Sequence, residues 1–131
     1  MICLDSTFLI DFLRNESFAV KKVSELKDEV LVTTTINIFE VMFGLHILKG
    51  DVSKKWGSFK YLIDNLDVFN LDLGSSFNAS KIASDLVKEG KEINAMDCLV
   101  AGIMLMNNCN MIVTRDEGHF NRVKGIKVEH Y

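Results

Sequence analysis

Short aliphatic and β-branched runs alternate with longer stretches of helical periodicity along this chain, and that alternation restricts the fold more than any other feature. Ile2 to Leu4 reads as a strand, and Ser6 to Leu13 places Phe8, Leu9, Phe12 and Leu13 at helical spacing. The same reading predicts a helix over Glu16–Lys27 through Val20, Val23 and Leu26, then a strand over Val30–Thr33. Helices follow over Thr35–Lys49, with Gly50 as its stop, and Ser53–Asn65, then a strand over Asp67–Leu71. Ser75–Lys88, ended by Gly90, and Asn94–Asn107 are further helices, with strands over Met111–Thr114 and Ile126–Glu129. Strands separated by helices imply a mostly parallel sheet of about five strands covered on both faces, because parallel neighbours need right-handed crossovers.

A length of 131 residues, 48% of them hydrophobic, suits one self-supporting core. Proline is absent and no linker, repeat or low-complexity stretch interrupts the pattern, so a single domain over residues 1–131 is expected. The longest unbroken apolar run, Cys98 to Met106, is far short of the ~20 residues that span a bilayer, and no membrane association is expected. Met-Ile-Cys-Leu-Asp carries no basic leader and an acid at position five, which points to a cytoplasmic protein. Cys3, Cys98 and Cys109 are odd in number, lack CxxC spacing and sit in apolar surroundings, so buried reduced thiols are expected. A net charge of −3 gives no general attraction for nucleic acid, and an RNA or DNA partner would need local bases and metal ions.

In open α/β sheets, ligands collect beyond the C-terminal strand ends where strand order reverses. Asp5 follows the first strand directly and Asp116 follows the fourth by one residue, so adjacency of those strands would turn both acids into one crevice. Each acid also has an ordinary explanation. Asp5 can cap the helix beginning Ser6-Thr7, Asp97 can complete a capping box with Asn94, and Asp116 opens the turn-like Asp-Glu-Gly-His. Glu40 fits such explanations least, because it lies roughly 40° from the centre of the arc formed by Ile36, Phe39, Phe43 and Ile47. Asp11, which interrupts an apolar helix, Asp51, Asp64, Asp67, Asp72 and Glu117 read as solvated, capping or turn residues.

If one fold gathers Asp5, Glu40, Asp97 and Asp116, each pair at about 5 Å repels by roughly 3 kcal/mol at an effective dielectric near 20. Such a cluster requires a cation or protons. An all-oxygen set without histidine or thiolate favours Mg²⁺ or Mn²⁺ over zinc, and two such ions about 3.5–4 Å apart suit phosphodiester hydrolysis.

These segments resemble the PIN-domain nucleases, and within them the VapC-type toxins of toxin–antitoxin pairs. Leu4-Asp5-Ser6-Thr7-Phe8-Leu9-Ile10-Asp11 is similar to the first acidic motif of that family, and Thr35 to Gly44, with Asn37, Glu40 and Gly44 in register, to the second. Met96-Asp97-Cys98-Leu99-Val100-Ala101-Gly102 resembles the third, and Val113-Thr114-Arg115-Asp116 with Phe120 the fourth. The resemblance implies a three-layer α/β/α sandwich, Mg²⁺- or Mn²⁺-dependent endoribonuclease activity on RNA, a homodimer, and inhibition by a cognate antitoxin. It also implies Asp5, Glu40, Asp97 and Asp116 as catalytic metal ligands, supported by the hydroxyls of Ser6 and Thr114. The chain departs from many relatives by placing His119, not an acid, before Phe120, so a fifth carboxylate is missing. His46, His130 and Asn121 read as ordinary surface or packing residues, and Lys81, Lys88, Lys91 and Arg115 are the candidate bases for RNA.

Two other readings compete. A phospho-acceptor receiver domain shares the fold class and size, but Phe69-Asn70-Leu71 lacks its acceptor aspartate and Glu40 would have no role. A catalytically idle PIN-like interaction module would have no use for four mutually repelling acids. Neither GxxxxGK nor GxGxxG occurs, which removes the nucleotide-binding motifs.

Overall fold

The computed structural model describes residues 1–131 and contains five strands, β1 (Ile2–Leu4), β2 (Leu31–Thr34), β3 (Asp67–Phe69), β4 (Met111–Val113) and β5 (Lys127–Glu129). All neighbours are parallel, in the order β3-β2-β1-β4-β5. Strand order therefore reverses between β1 and β4. Their register pairs Cys3 with Ile112 and Leu4 with Val113, so the next residues, Asp5 and Thr114, leave the sheet side by side.

Helices α1 (Ser6–Leu13), α2 (Ser17–Glu25), α3 (Thr35–His46) and α4 (Ser53–Asp64) link the first three strands, and α5 (Leu73–Lys88), α6 (Ala95–Met106) and α7 (Glu117–Phe120) serve the rest. The strand pleat divides the core into two. Ile2, Leu4 and Val113 pack with Phe8, Leu9, Ala19, Val41 and Phe59 on the side of α1 to α4. Cys3, Val32 and Ile112 pack with Leu86, Val100, Ile103, Met104 and Phe120 on the side of α5, α6 and α7. This is a three-layer α/β/α sandwich. Because β1 is buried on both faces, all three of its residues are apolar and no alternation marks it.

Several expected boundaries shift for identifiable reasons. Helix α5 begins at Leu73 because Asp72 and Ser75 form a reciprocal capping box, the Asp72 carboxylate accepting from the Ser75 N–H at 2.8 Å. It ends in a Schellman closure at Gly90, whose φ of +68° lets the Lys91 N–H reach the Leu86 carbonyl at 2.9 Å. The segment after Asp116, read as a turn, closes into α7 because fully buried Phe120 anchors it to the core.

Helix α6 lies close against α5. A Cβ on Gly102 would stand 2.7 Å from the Ala79 Cβ and from the Ser75 carbonyl oxygen, so only glycine permits this approach. The contact seats the helix that carries Asp97. All three cysteines are buried and unpaired, as expected, and burial is the leading cause that raises each thiol. No helix is long and apolar enough to cross a membrane.

Candidate metal centre

Asp5 occupies the position before α1 but does not cap it. Its Oδ2 instead accepts from the hydroxyls of Thr7, at 2.8 Å, and Thr114, at 2.7 Å. The Thr114 hydroxyl in turn accepts the Asp116 N–H at 2.9 Å. A single fully buried side chain thus ties the acid after β1 to the acid after β4.

Asp97 enters from the first turn of α6, near the positive end of the helix. The expected cap is present, with Asn94 Oδ1 accepting the Asp97 N–H at 2.9 Å. The amide of Asn94 also donates to Asp97 Oδ2 at 2.7 Å and so fixes the carboxylate. On the same oxygen, at 2.6 Å, lies His119 Nδ1, which also stands 3.0 Å from Asp116 Oδ2. Ligand atoms of Asp97, Asp116 and His119 all fall within 4.8 Å of one another. These three form the tight cluster of the crevice.

Glu40 and Asp5 border that cluster. Burial raises the Glu40 carboxyl above its ordinary range; the Ser6 hydroxyl opposes the shift, and the charges of Asp5 and Asp97 add to it. Asp97 is likewise raised, first by burial, with the His119 hydrogen bond opposing and repulsion from Asp5 and Asp116 adding. Mutual repulsion therefore couples acids from four separate chain segments.

Glu40 does not lie on a core-facing arc of α3. Helix α3 buries Ile36, Asn37, Val41 and Leu45, whereas Phe39, Phe43 and Ile47 are 55%, 58% and 65% exposed. Of the four residues of that arc only Ile36 faces inward, and Glu40 lies beside the three outward ones, half-buried at the edge of the crevice. The helix is apolar on two sides, so periodicity alone could not say which side faces inward.

Two residues also differ from their expected roles. Asp11 is buried, not solvated, with Tyr131 donating to its Oδ2 at 2.8 Å and Arg115 Nε at 3.0 Å. His119 joins the carboxylates, so the donor set is not purely oxygen. The signal in the sequence is the spacing of Asp116 and His119, since residues three apart share a face where the chain is helical. Thr7, which no expectation singled out for the site, holds Asp5 through its hydroxyl. His46 packs on Trp56 and His130 pairs with Glu117, both away from this cluster's contacts, as expected. Among the candidate bases, Lys81 pairs with Asp85 on the surface of α5 and Lys88 and Lys91 are exposed.

The donor set fits a divalent cation. A six-coordinate ion with ligands at about 2.1 Å sets neighbouring donors roughly 3 Å apart, close to the 2.6 and 3.0 Å separations around His119 Nδ1.

Fold and crevice together define a doubly wound α/β/α domain with a carboxylate–imidazole cluster at the switch point of its sheet. The PIN domain family model matches residues 2–126, and the chain belongs to that family. The receiver-domain reading falls with this assignment. Solved structures with the same fold include VapBC2 from Rickettsia felis bound to a DNA fragment from its promoter, at TM-score 0.88 and 16% identity, covering 100% of this chain and 99% of the other. DNA-bound VapBC from Salmonella typhimurium matches at TM-score 0.85 and 18% identity, covering 98% and 96%. VapBC-1 from nontypeable Haemophilus influenzae matches at TM-score 0.83 and 20% identity, covering 99% and 98%. No functionally curated sequence matches this chain.

Proposed function

We propose that this protein is a divalent-cation-dependent endoribonuclease, the toxin of a VapBC-type pair, acting in the cytoplasm. The observation that carries the reading is the gathering of acids from four segments at the β1–β4 switch point of a PIN domain, with Asp97 and Asp116 close enough to share one ion. Asp5, Glu40, Asp97 and Asp116 are the proposed metal-binding and catalytic residues, for Mg²⁺ or Mn²⁺. When bound, the cation supplies Lewis-acid activation of a water and neutralises charge on the scissile phosphate.

The chain's own residues do the rest. Thr114 and Thr7 hold Asp5 through its Oδ2, which leaves Oδ1 without a protein donor. Asn94 orients Asp97, and Ser6 opposes the raised proton affinity of Glu40, favouring the ionised form that binds a cation. Arg115, half-exposed just after Thr114 and pinned to Asp11, is the proposed contact for an RNA phosphate.

Two surfaces support the proposed protein partners. Phe39, Phe43 and Ile47 form an exposed apolar face on α3 suited to a homodimer. A groove of about 930 Å³, lined by Phe12, Leu13, Val20, Val23 and Leu62 among others, suits an apolar segment of an antitoxin. The similar bacterial structures are VapBC complexes, which favours such a partner here.

Incubating total tRNA and rRNA with Mg²⁺, with Mn²⁺ and with chelator tests the activity. Cleavage only with cation is expected; intact RNA in all three, with no Mn²⁺ uptake, would favour the idle interaction module.

A further inference from the structure

His119 departs from the acid expected before Phe120, and its position gives that departure a chemical meaning. Fully buried Phe120 anchors α7, which holds the neighbouring imidazole between two carboxylates. Nδ1 is 2.6 Å from Asp97 Oδ2 and 3.0 Å from Asp116 Oδ2. A ring nitrogen carries at most one proton, so it cannot bond both oxygens at full strength, whereas a cation among the three atoms engages all of them. Asp97 Oδ2 is independently held by the Asn94 amide at 2.7 Å, so the set is braced from α6 as well.

We propose that His119 is itself a ligand of the bound cation, and that its imidazole tilts the site away from Mg²⁺ toward first-row transition ions. This rests on the reading of the crevice as a divalent-cation site. Mg²⁺ takes oxygen donors almost exclusively, while affinity for nitrogen donors rises from Mn²⁺ through Co²⁺ to the later ions. A carboxylate at the same place would add charge without that discrimination. The substitution thus changes which ion the same crevice selects.

Metal-stripped, full-length protein loaded with Mn²⁺ supplies the test, by pulsed electron paramagnetic resonance. Bound Mn²⁺ is expected to show imidazole nitrogen coupling in the wild type, which His130→Gln retains and His119→Asp loses. Calorimetry with Co²⁺ and with Mg²⁺ is expected to show the ratio of the two affinities falling about tenfold in His119→Asp. Bound Mn²⁺ without nitrogen coupling in the wild type, or an unchanged affinity ratio, overturns the role of His119 and leaves the cation site standing. Failure of the wild type to bind either ion overturns both readings.

Discussion

Thr114 and Asp5, leaving adjacent strands side by side, are joined by a 2.7 Å hydrogen bond from the threonine hydroxyl to Asp5 Oδ2. The same hydroxyl accepts the Asp116 N–H, so one buried oxygen spaces two of the proposed ligands. Thr114→Val keeps the shape and removes both bonds. It is expected to lower stability by about 1–3 kcal/mol, the cost of leaving buried polar groups unpaired, and to weaken Mn²⁺ binding. Thr114→Ser should restore metal affinity; urea denaturation and calorimetry on the two variants check this.

Glu40 gives a pH-dependent prediction for the metal-free protein. Its folded pKa is raised, chiefly by burial, so the stabilising contribution is fully present below the ordinary glutamate value of about 4.3 and is lost as pH rises through the folded value. Glu40→Gln removes that loss. With chelator present, the variant should match wild type near pH 4 and exceed it at pH 7 by less than about 1 kcal/mol, given the partial exposure of the group. A variant less stable than wild type at pH 7 would count against a raised Glu40 carboxyl.

Tyr131 fastens the chain end to the first helix, with its hydroxyl on Asp11 and its ring edge-on to Phe8 at 4.7 Å. Burial first, and then the bond to Asp11, raise its hydroxyl pKa. The contribution is present below the ordinary tyrosine value of about 10 and is lost as pH rises through the higher folded value. Tyr131→Phe is expected to cost about 1–3 kcal/mol at neutral pH and to flatten the alkaline decline. Thermal melts from pH 7 upward would show both effects, and equal melting points at pH 7 would contradict the tether.

Gly102→Ala tests the seat of Asp97. The added methyl meets α5 at 2.7 Å on two sides, so α6 must move outward, at a cost of about 1–3 kcal/mol. An unaltered denaturation midpoint would show that the two helices separate more freely than this packing allows.

Much of the fold was legible because its signals are local. The helix over Ser6–Leu13 agrees residue for residue, and the strand ends that release Asp5 and Asp116 lie within a residue of their expected positions. What was not legible depended on tertiary context. The two apolar sides of α3 are equivalent until the sheet chooses between them, so Glu40 was selected through the wrong face. Asp11 looked like a solvated interruption because its partner, Tyr131, lies 120 positions away. His119 was hidden by a turn-like composition whose helical closure depends on burying Phe120.

The acids at the β1–β4 switch point are proposed to form one cation-dependent site for RNA hydrolysis. Its most direct measurement is the rate of single-stranded RNA cleavage in Mn²⁺ by wild type and by folded Asp97→Asn protein. A loss of at least about a hundredfold is expected in the variant, with abolition of wild-type cleavage by chelator. Cleavage by Asp97→Asn at the wild-type rate, or wild-type cleavage that persists in chelator, would contradict it.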